Sequence, residues 1–295
     1  MNLAAQDWPI DWVYDGFEEL CRALCLDEDA SVTVLRILGD AGGKKQASNL
    51  TVGAYIATVH QWDKRIKPLW IGALQDEAVE CFHRTDMEIP AHGEFDRETW
   101  TRDHQIAVLN RLHKIIRDHT MNGQGHGVDA IAFERLVPPE VKRDYGGPYG
   151  ICVLQTVVHF GLRARQRDEW IHYIFEAGDE GQGQINTVMA KIIGDPRYRD
   201  LFRVADFTFG VKRGPCAIVQ LQTADFLAFE SYKRIENYLA GEPRKPRLSF
   251  NALLRPRIDV VMLWTEESIG AWLARLNQLH GDVIESMISR HVDLR

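Results

Sequence analysis

Three acidic side chains stand where folding alone does not call for them. Asp40 follows the β-branched run Ser31–Leu38 inside the glycine-rich stretch Gly39-Asp40-Ala41-Gly42-Gly43. Glu176 closes the apolar run His172-Tyr173-Ile174-Phe175, with Asp179 three residues on. Asp225 lies in a helical stretch at the edge of a face formed by Ile218, Leu221, Ala224, Leu227 and Ala228,. A carboxylate in such surroundings must be paired, protonated or bound to a cation, because an isolated buried charge is very costly. Several of them together repel one another and raise each other's pKa unless a cation neutralises them. Mg²⁺ and Mn²⁺ suit oxygen-only ligands of this kind. Such sites cleave phosphodiesters by activating water and stabilising the leaving oxygen.

Each residue also has a plainer reading. Asp40 fits a turn residue or helix cap, and Glu176 and Asp179, with Glu180, fit a solvated acidic loop. Asp225 is the hardest to explain this way, since Lys233 and Arg234 are badly placed to neutralise it from within one helix. His83, in Phe82-His83-Arg84-Thr85-Asp86, ends a short expected strand and suits a histidine satisfied structurally,. The other histidines considered, His60, His113, His119, His159 and His172, show no paired ligand spacing. The five cysteines have none either, and Cys21 and Cys25 suit two small residues on one helical face,.

The elements that would position these acids follow from hydrophobic periodicity. A lead-in helix is expected over 15–26, a strand over 31–38 ending in the Gly39–Gly43 turn, and a second strand over 50–58. A helix over 59–77 and a short strand over 79–83 come next. Then come an amphipathic helix over 102–119, a strand in GHGVDAIA and a long apolar helix over 148–166. WIHYIFEAGDEG reads as a buried strand running into an acidic turn, GQINTVMAKIIG as a helix, and LFRVADFTFG as a strand. A helix over 217–240 carries Asp225. Beyond the Pro/Arg-rich GEPRKPR, DVVMLW suits a strand, and a last helix covers 266–289. Strands alternating with helices give an α/β or mixed-sheet α+β architecture. Residues 1–240 are expected to form the main domain and 241–295 an extension packed on it. That extension is a candidate surface for a protein partner or a second copy, or an ordinary packing layer.

The 295 residues, 45% hydrophobic and 26% charged, suffice for a substantial core,. A net charge of −7 argues against indiscriminate coating of nucleic acid,. Nine basic residues against four acids between Lys212 and Arg257 leave room for a local phosphate-facing surface, or for a solvated linker,. No apolar run approaches the roughly 20 residues of a membrane span. The start MNLAAQDWPIDW has no basic segment leading into an apolar one, so a reduced, cytoplasmic protein is expected,. There is no P-loop, no G-x-G-x-x-G after a strand, no H-E-x-x-H, no paired CxxC and no G-x-S-x-G,. The stretch GDEGQG is acidic and would repel a pyrophosphate.

Taken in order, several segments resemble the bacterial domain of unknown function 3800 family of the ribonuclease H-like superfamily. Val219-Gln220-Leu221-Gln222-Thr223-Ala224-Asp225-Phe226-Leu227-Ala228 is similar to that family's glutamine-x-alanine-aspartate-leucine signature, and it follows a short basic loop, Lys212-Arg213-Gly214-Pro215. Ile174-Phe175-Glu176 is similar to its acidic strand end. Gly53-Ala54-Tyr55-Ile56-Ala57 with Trp62, Phe82–Asp86 and Gly93-Glu94-Phe95 keep its order. Asp40 falls where the family has aspartate-glutamate-serine-glycine, here Asp40-Ala41-Gly42-Gly43, with the glutamate and serine missing. The resemblance spans about residues 31 to 240. It implies a ribonuclease H-like core with helices on both faces. It also implies Asp40, Glu176 and Asp225 as carboxylates for Mg²⁺ or Mn²⁺, Asp179 as substitute or fourth member, and catalysis by Asp40, Glu176, Asp225 and His83. A metal-dependent nuclease on a nucleic-acid substrate is the expected activity. The alternatives are a non-catalytic interaction protein with a degenerate metal site and a phosphoesterase or transferase acting on a nucleotide.

Overall fold

The computed structural model describes residues 34–42, 48–88, 95, 100–178, 180–241, 245–255, 259–278, 283–284 and 286–288. The helix expected over 15–26, with Cys21 and Cys25, the residues Gly93 and Glu94, and Asp179 lie outside them.

Six strands form one mixed sheet in the order β5-β4-β1-β2-β3-β6. They are β1 (Val34–Gly42), β2 (Asn49–Thr58), β3 (Asn122–Asp129), β4 (Trp170–Glu176), β5 (Val204–Gly210) and β6 (Val260–Trp264). β2 runs antiparallel to β1 and β3, whereas β1 is parallel to β4, β4 to β5, and β3 to β6. The helices are α1 (Lys67–Asp76, entered through a π-helical turn at Gln61–Ile66), α2 (Arg84–Glu88), α3 (Arg102–His119), α4 (Ala130–Leu136) and α5 (Pro139–Tyr145). There follow α6 (Gly147–Gln166), α7 (Gln182–Gly194), α8 (Pro196–Leu201), α9 (Leu221–Leu239), α10 (Leu248–Leu253) and α11 (Glu266–Gln278). This is the α/β class expected, with helices on both faces.

The two-residue period of β1 sorts its side chains between two cores. Leu35 and Ile37 join Val52, Ala54 and Ile56 of β2 under α6, whose residues from Pro148 to Gly161 are all buried. The helix is buried nearly all round, and Gln155, Thr156 and His159 are its polar interruptions,. Leu38 faces the other way, with Tyr55 and Ala57, against Trp62, Trp70, Leu112, Phe226 and Leu227. Asp40, two residues after Leu38, therefore points to the side of the sheet that α9 covers.

The structure departs from the sequence reading in instructive places. β1 does not end in a turn at Gly39. Pairing with β2 continues through Asp40↔Gly53, Ala41↔Val52 and Gly42↔Thr51, so Asp40 is a strand residue. Gly42, one of the glycines that suggested a turn, serves a close approach instead, as does Gly53 in the expected second strand. A Cβ at Gly53 would lie 2.3 Å from the Ala228 nitrogen, and one at Gly42 would lie 3.1 Å from the Ala228 carbonyl oxygen. Their absence lets α9 rest on the sheet backbone.

Residues 79–83 form no strand. The Phe82 amide donates to the Gln222 side chain at 2.9 Å, and the Arg84 amide to Asp225 at 2.7 Å. Side chains thus do the work of a neighbouring strand. β3 begins at Asn122, three residues before the expected GHGVDAIA, and stops where Asp129 caps α4 by accepting from the Ala132 amide,. The expected strand at 201–210 begins at Val204, because Leu201 ends α8, and the expected helix at 217–240 begins at Leu221. The last helix is described as α11 to Gln278, and residues 283–284 and 286–288 are helical again.

The segment after 241 is built into the molecule. β6 extends the sheet beyond β3, and Trp264, Ile269, Trp272 and Leu276 belong to the same core as α6. No helix among the described residues is long and apolar enough to cross a membrane.

Candidate functional site: a carboxylate cluster around Lys212

Asp40 and Glu176 sit at the carboxyl ends of adjacent parallel strands, since Gly39 of β1 is level with Phe175 of β4. In open α/β sheets this end is where ligands bind. Asp225, in the second turn of α9, comes over the same edge because α9 crosses β1, β2 and β3 on the glycine-lined backbone. The meeting is locked by the residues next door. Phe82 and Phe226 stack face to face at 4.4 Å, which places His83 against Asp225. His83 Nε2 lies 3.3 Å from Asp225 Oδ1, and its Nδ1 lies 3.2 Å from Asp86 Oδ1.

The centre of the cluster is Lys212, in the loop between β5 and α9. Its Nζ lies 2.8 Å from Asp40 Oδ2, 2.8 Å from Glu176 Oε2 and 3.2 Å from Asp225 Oδ1. The structure thus brings together Asp40, Glu176, Asp225 and His83, which the sequence singled out, around a cation that it did not. Gln222 organises the floor. It accepts from Trp70 Nε1 and the Phe82 amide and donates to the Lys212 carbonyl oxygen at 3.1 Å. A lysine in a basic loop and a glutamine one turn before an aspartate carry no periodic signal. Only the apolar run around Gln222 marked it as buried.

The electrostatics separate the carboxylates. Burial drives Asp40 well above the usual carboxylate range; the Lys212 ammonium pulls it back, and Asp225 and Glu176 push it up again,. Burial also opposes ionisation of Asp225, but Lys212, His83 and the Arg84 amide together hold it below the ordinary range. Lys212 resists its own burial because three carboxylates surround it, and it stays charged well above the usual lysine range. One positive charge against three acids leaves the cluster acid-rich, so Asp40 is the member that takes a proton first. Asp40 is 4% exposed, and its Oδ1 is buried without a hydrogen-bond partner.

Carboxyl oxygens are the donors a hard divalent cation takes, but among the described residues no three His, Cys, Asp or Glu side chains are arranged to hold a metal ion as the cluster stands. Three carboxyl groups converge on one point, and one buried oxygen has coordination to spare,. The Lys212 ammonium takes that point here. The basic residues expected to face phosphate are largely engaged elsewhere. Arg213 pairs with Asp86, Lys233 with Glu236, Arg247 with Glu88 and Glu230, and Arg255 with Asp259. Arg84 is buried and bonds to Glu230 at 3.0 Å.

The chain matches no protein-family model, and no curated protein is significantly similar to it in sequence.

Proposed function

We propose that this protein is a divalent-metal-dependent phosphodiesterase of nuclease type, with Asp40, Glu176 and Asp225 as its metal carboxylates. One observation carries the reading. Three acids from β1, β4 and α9, far apart in sequence, lie within 3.2 Å of a single cationic atom. Gathering them is costly to the fold, because a buried ion pair seldom repays its desolvation. The resemblance of the Asp225 helix and the Glu176 strand end to the ribonuclease H-like family supports the same assignment.

When bound, Mg²⁺ or Mn²⁺ supplies Lewis-acid stabilisation of the charge that develops as a phosphodiester is cleaved. Asp40, Asp225 and Glu176 would hold the ion, Glu176 being the most open of the three with its side chain 27% exposed. His83, 36% exposed and touching both Asp225 and Asp86, carries a proton between the cluster and solvent,. Arg213, exposed beside Asp86, meets a phosphate at the rim.

A second reading has its own support. The Lys212 ammonium already occupies the point on which the three acids converge, and Ala41 follows Asp40 where the resembling family has a glutamate. A scaffold that keeps the fold and recruits a partner would have these features.

Thermal unfolding of wild type and Asp225→Asn, with chelator and then with millimolar Mn²⁺ or Mg²⁺, separates the two. An ion at about 100 times its dissociation constant stabilises the native state by about 2.7 kcal/mol. A shift in wild type that Asp225→Asn removes supports the metal site and justifies a screen of DNA, RNA and hybrid substrates. No shift in either protein favours the scaffold.

A further inference from the structure

The position of Lys212 raises a question that the metal reading alone does not answer, namely what becomes of the ammonium when an ion arrives. We propose that Lys212 is an internal competitor for the metal. Its ammonium and a divalent cation take the same point one at a time, and loading the ion releases Lys212 to the open side of the cluster, where it meets the anionic substrate. This rests on the reading of Asp40, Glu176 and Asp225 as a metal site.

Four observations carry it. The Nζ occupies the one place that all three carboxylates reach, at 2.8, 2.8 and 3.2 Å. It satisfies them incompletely, since Asp40 Oδ1 remains buried without a partner. A doubly charged ion with more coordination sites serves three carboxylates better than a single ammonium with three donors.

The backbone of Lys212 is anchored. Gln222 Nε2 donates to its carbonyl oxygen at 3.1 Å, and Cys81 Sγ donates to the same oxygen at 3.8 Å. Exchange is therefore a movement of the four-carbon side chain, which has the rotamer freedom for it. The cluster also has one open side. The side chains of Asp40 and Asp225 are 2% and 8% exposed, against 27% for Glu176 and 36% for His83. A displaced ammonium leaves past Glu176 and His83 and joins Arg213 at the rim, adding a second positive charge to the face a phosphate approaches.

Two measurements test the exchange without an activity assay. The first is calorimetric titration of Mn²⁺ into wild type and Lys212→Met. Removing the competitor is expected to tighten Mn²⁺ binding at least tenfold. The second uses the wild-type protein, so it does not depend on a variant that folds. An amine-acylating reagent is applied with and without saturating Mn²⁺, and labelling of each lysine is read by mass spectrometry. Lys212, 5% exposed without metal, is expected to label at least tenfold faster with Mn²⁺, while the exposed Lys114 stays constant as reference.

Mn²⁺ binding by Lys212→Met alone overturns the exchange, because the wild-type ammonium then never yields the point to an ion. Mn²⁺ that binds wild type while Lys212 stays protected, or that binds Lys212→Met no more tightly, overturns the exchange and leaves the metal site standing. Absence of Mn²⁺ binding in both proteins overturns the metal reading and the exchange together.

Discussion

Replacing Gly53 by alanine adds one methyl group at the point where α9 rests on the sheet. Its Cβ would lie 2.3 Å from the Ala228 nitrogen, 2.7 Å from the Ala228 Cα and 2.8 Å from the Leu227 carbonyl carbon. All three are backbone atoms, so no side-chain rotation relieves the clash. To restore a contact of 3.4 Å the helix must retreat by about 1 Å. That movement is enough to break the 3.2 Å contact between Lys212 and Asp225. Overpacking of this kind costs about 3 kcal/mol. At roughly 2 °C per kcal/mol for a chain of this size, the melting temperature falls by about 6 °C.

Gly72 provides the control. It lies in α1, and a Cβ there meets nothing within 4 Å, so Gly72→Ala gains about 1 kcal/mol from helix propensity,. Urea unfolding of the two variants beside wild type reads both differences. If Gly53→Ala is as stable as wild type, the close approach of α9 is wrong, and with it the account of how Asp225 reaches Asp40.

Gln222→Met strands the indole N–H of Trp70 and the amide of Phe82 and leaves the Lys212 carbonyl oxygen only the weak Cys81 Sγ donor. We expect a loss of about 3 kcal/mol and faster hydrogen exchange at Phe82; unchanged exchange there would refute the role given to Gln222. His113 is buried against Phe226 with both ring nitrogens unpartnered, and burial, helped by Arg84 and Arg117, lowers its pKa to about 4. The unfolded chain takes up this proton near pH 6.5 and the folded one only near pH 4, so the stability it confers is complete above pH 6.5 and lost as pH falls through that window,. Up to about 3 kcal/mol goes in this way, and His113→Leu should flatten the fall in unfolding free energy between pH 6.5 and 4; an unaltered pH profile would show that the histidine titrates normally.

The acids were legible one by one because each interrupts an apolar pattern, and such a pattern is local. Their convergence was not, since it depends on the β1–β4 register and on the path of α9 across the sheet. Gly42 misled for the same reason. Within a strand, a glycine made necessary by a helix more than 170 residues away looks like a turn signal. Residues 79–83 read as a strand because Val79, Cys81 and Phe82 are buried like strand residues, while the Val79 amide bonds back to the Leu74 carbonyl and the Phe82 amide to the side chain of Gln222 in α9. The pairing of β6 with β3 joins residues some 136 positions apart, which no window of sequence registers. Lys212 stayed hidden because a lysine in a basic loop gives no sign that its ammonium is buried.

The cluster draws its members from positions 40, 176, 212 and 225, so closing it costs more chain entropy than closing the β1–β2 hairpin,. A chain still emerging from synthesis holds Asp40 on a strand edge long before Lys212 exists to meet it. Loss of the Lys212 ammonium would leave three carboxylates from separate parts of the chain facing one another,.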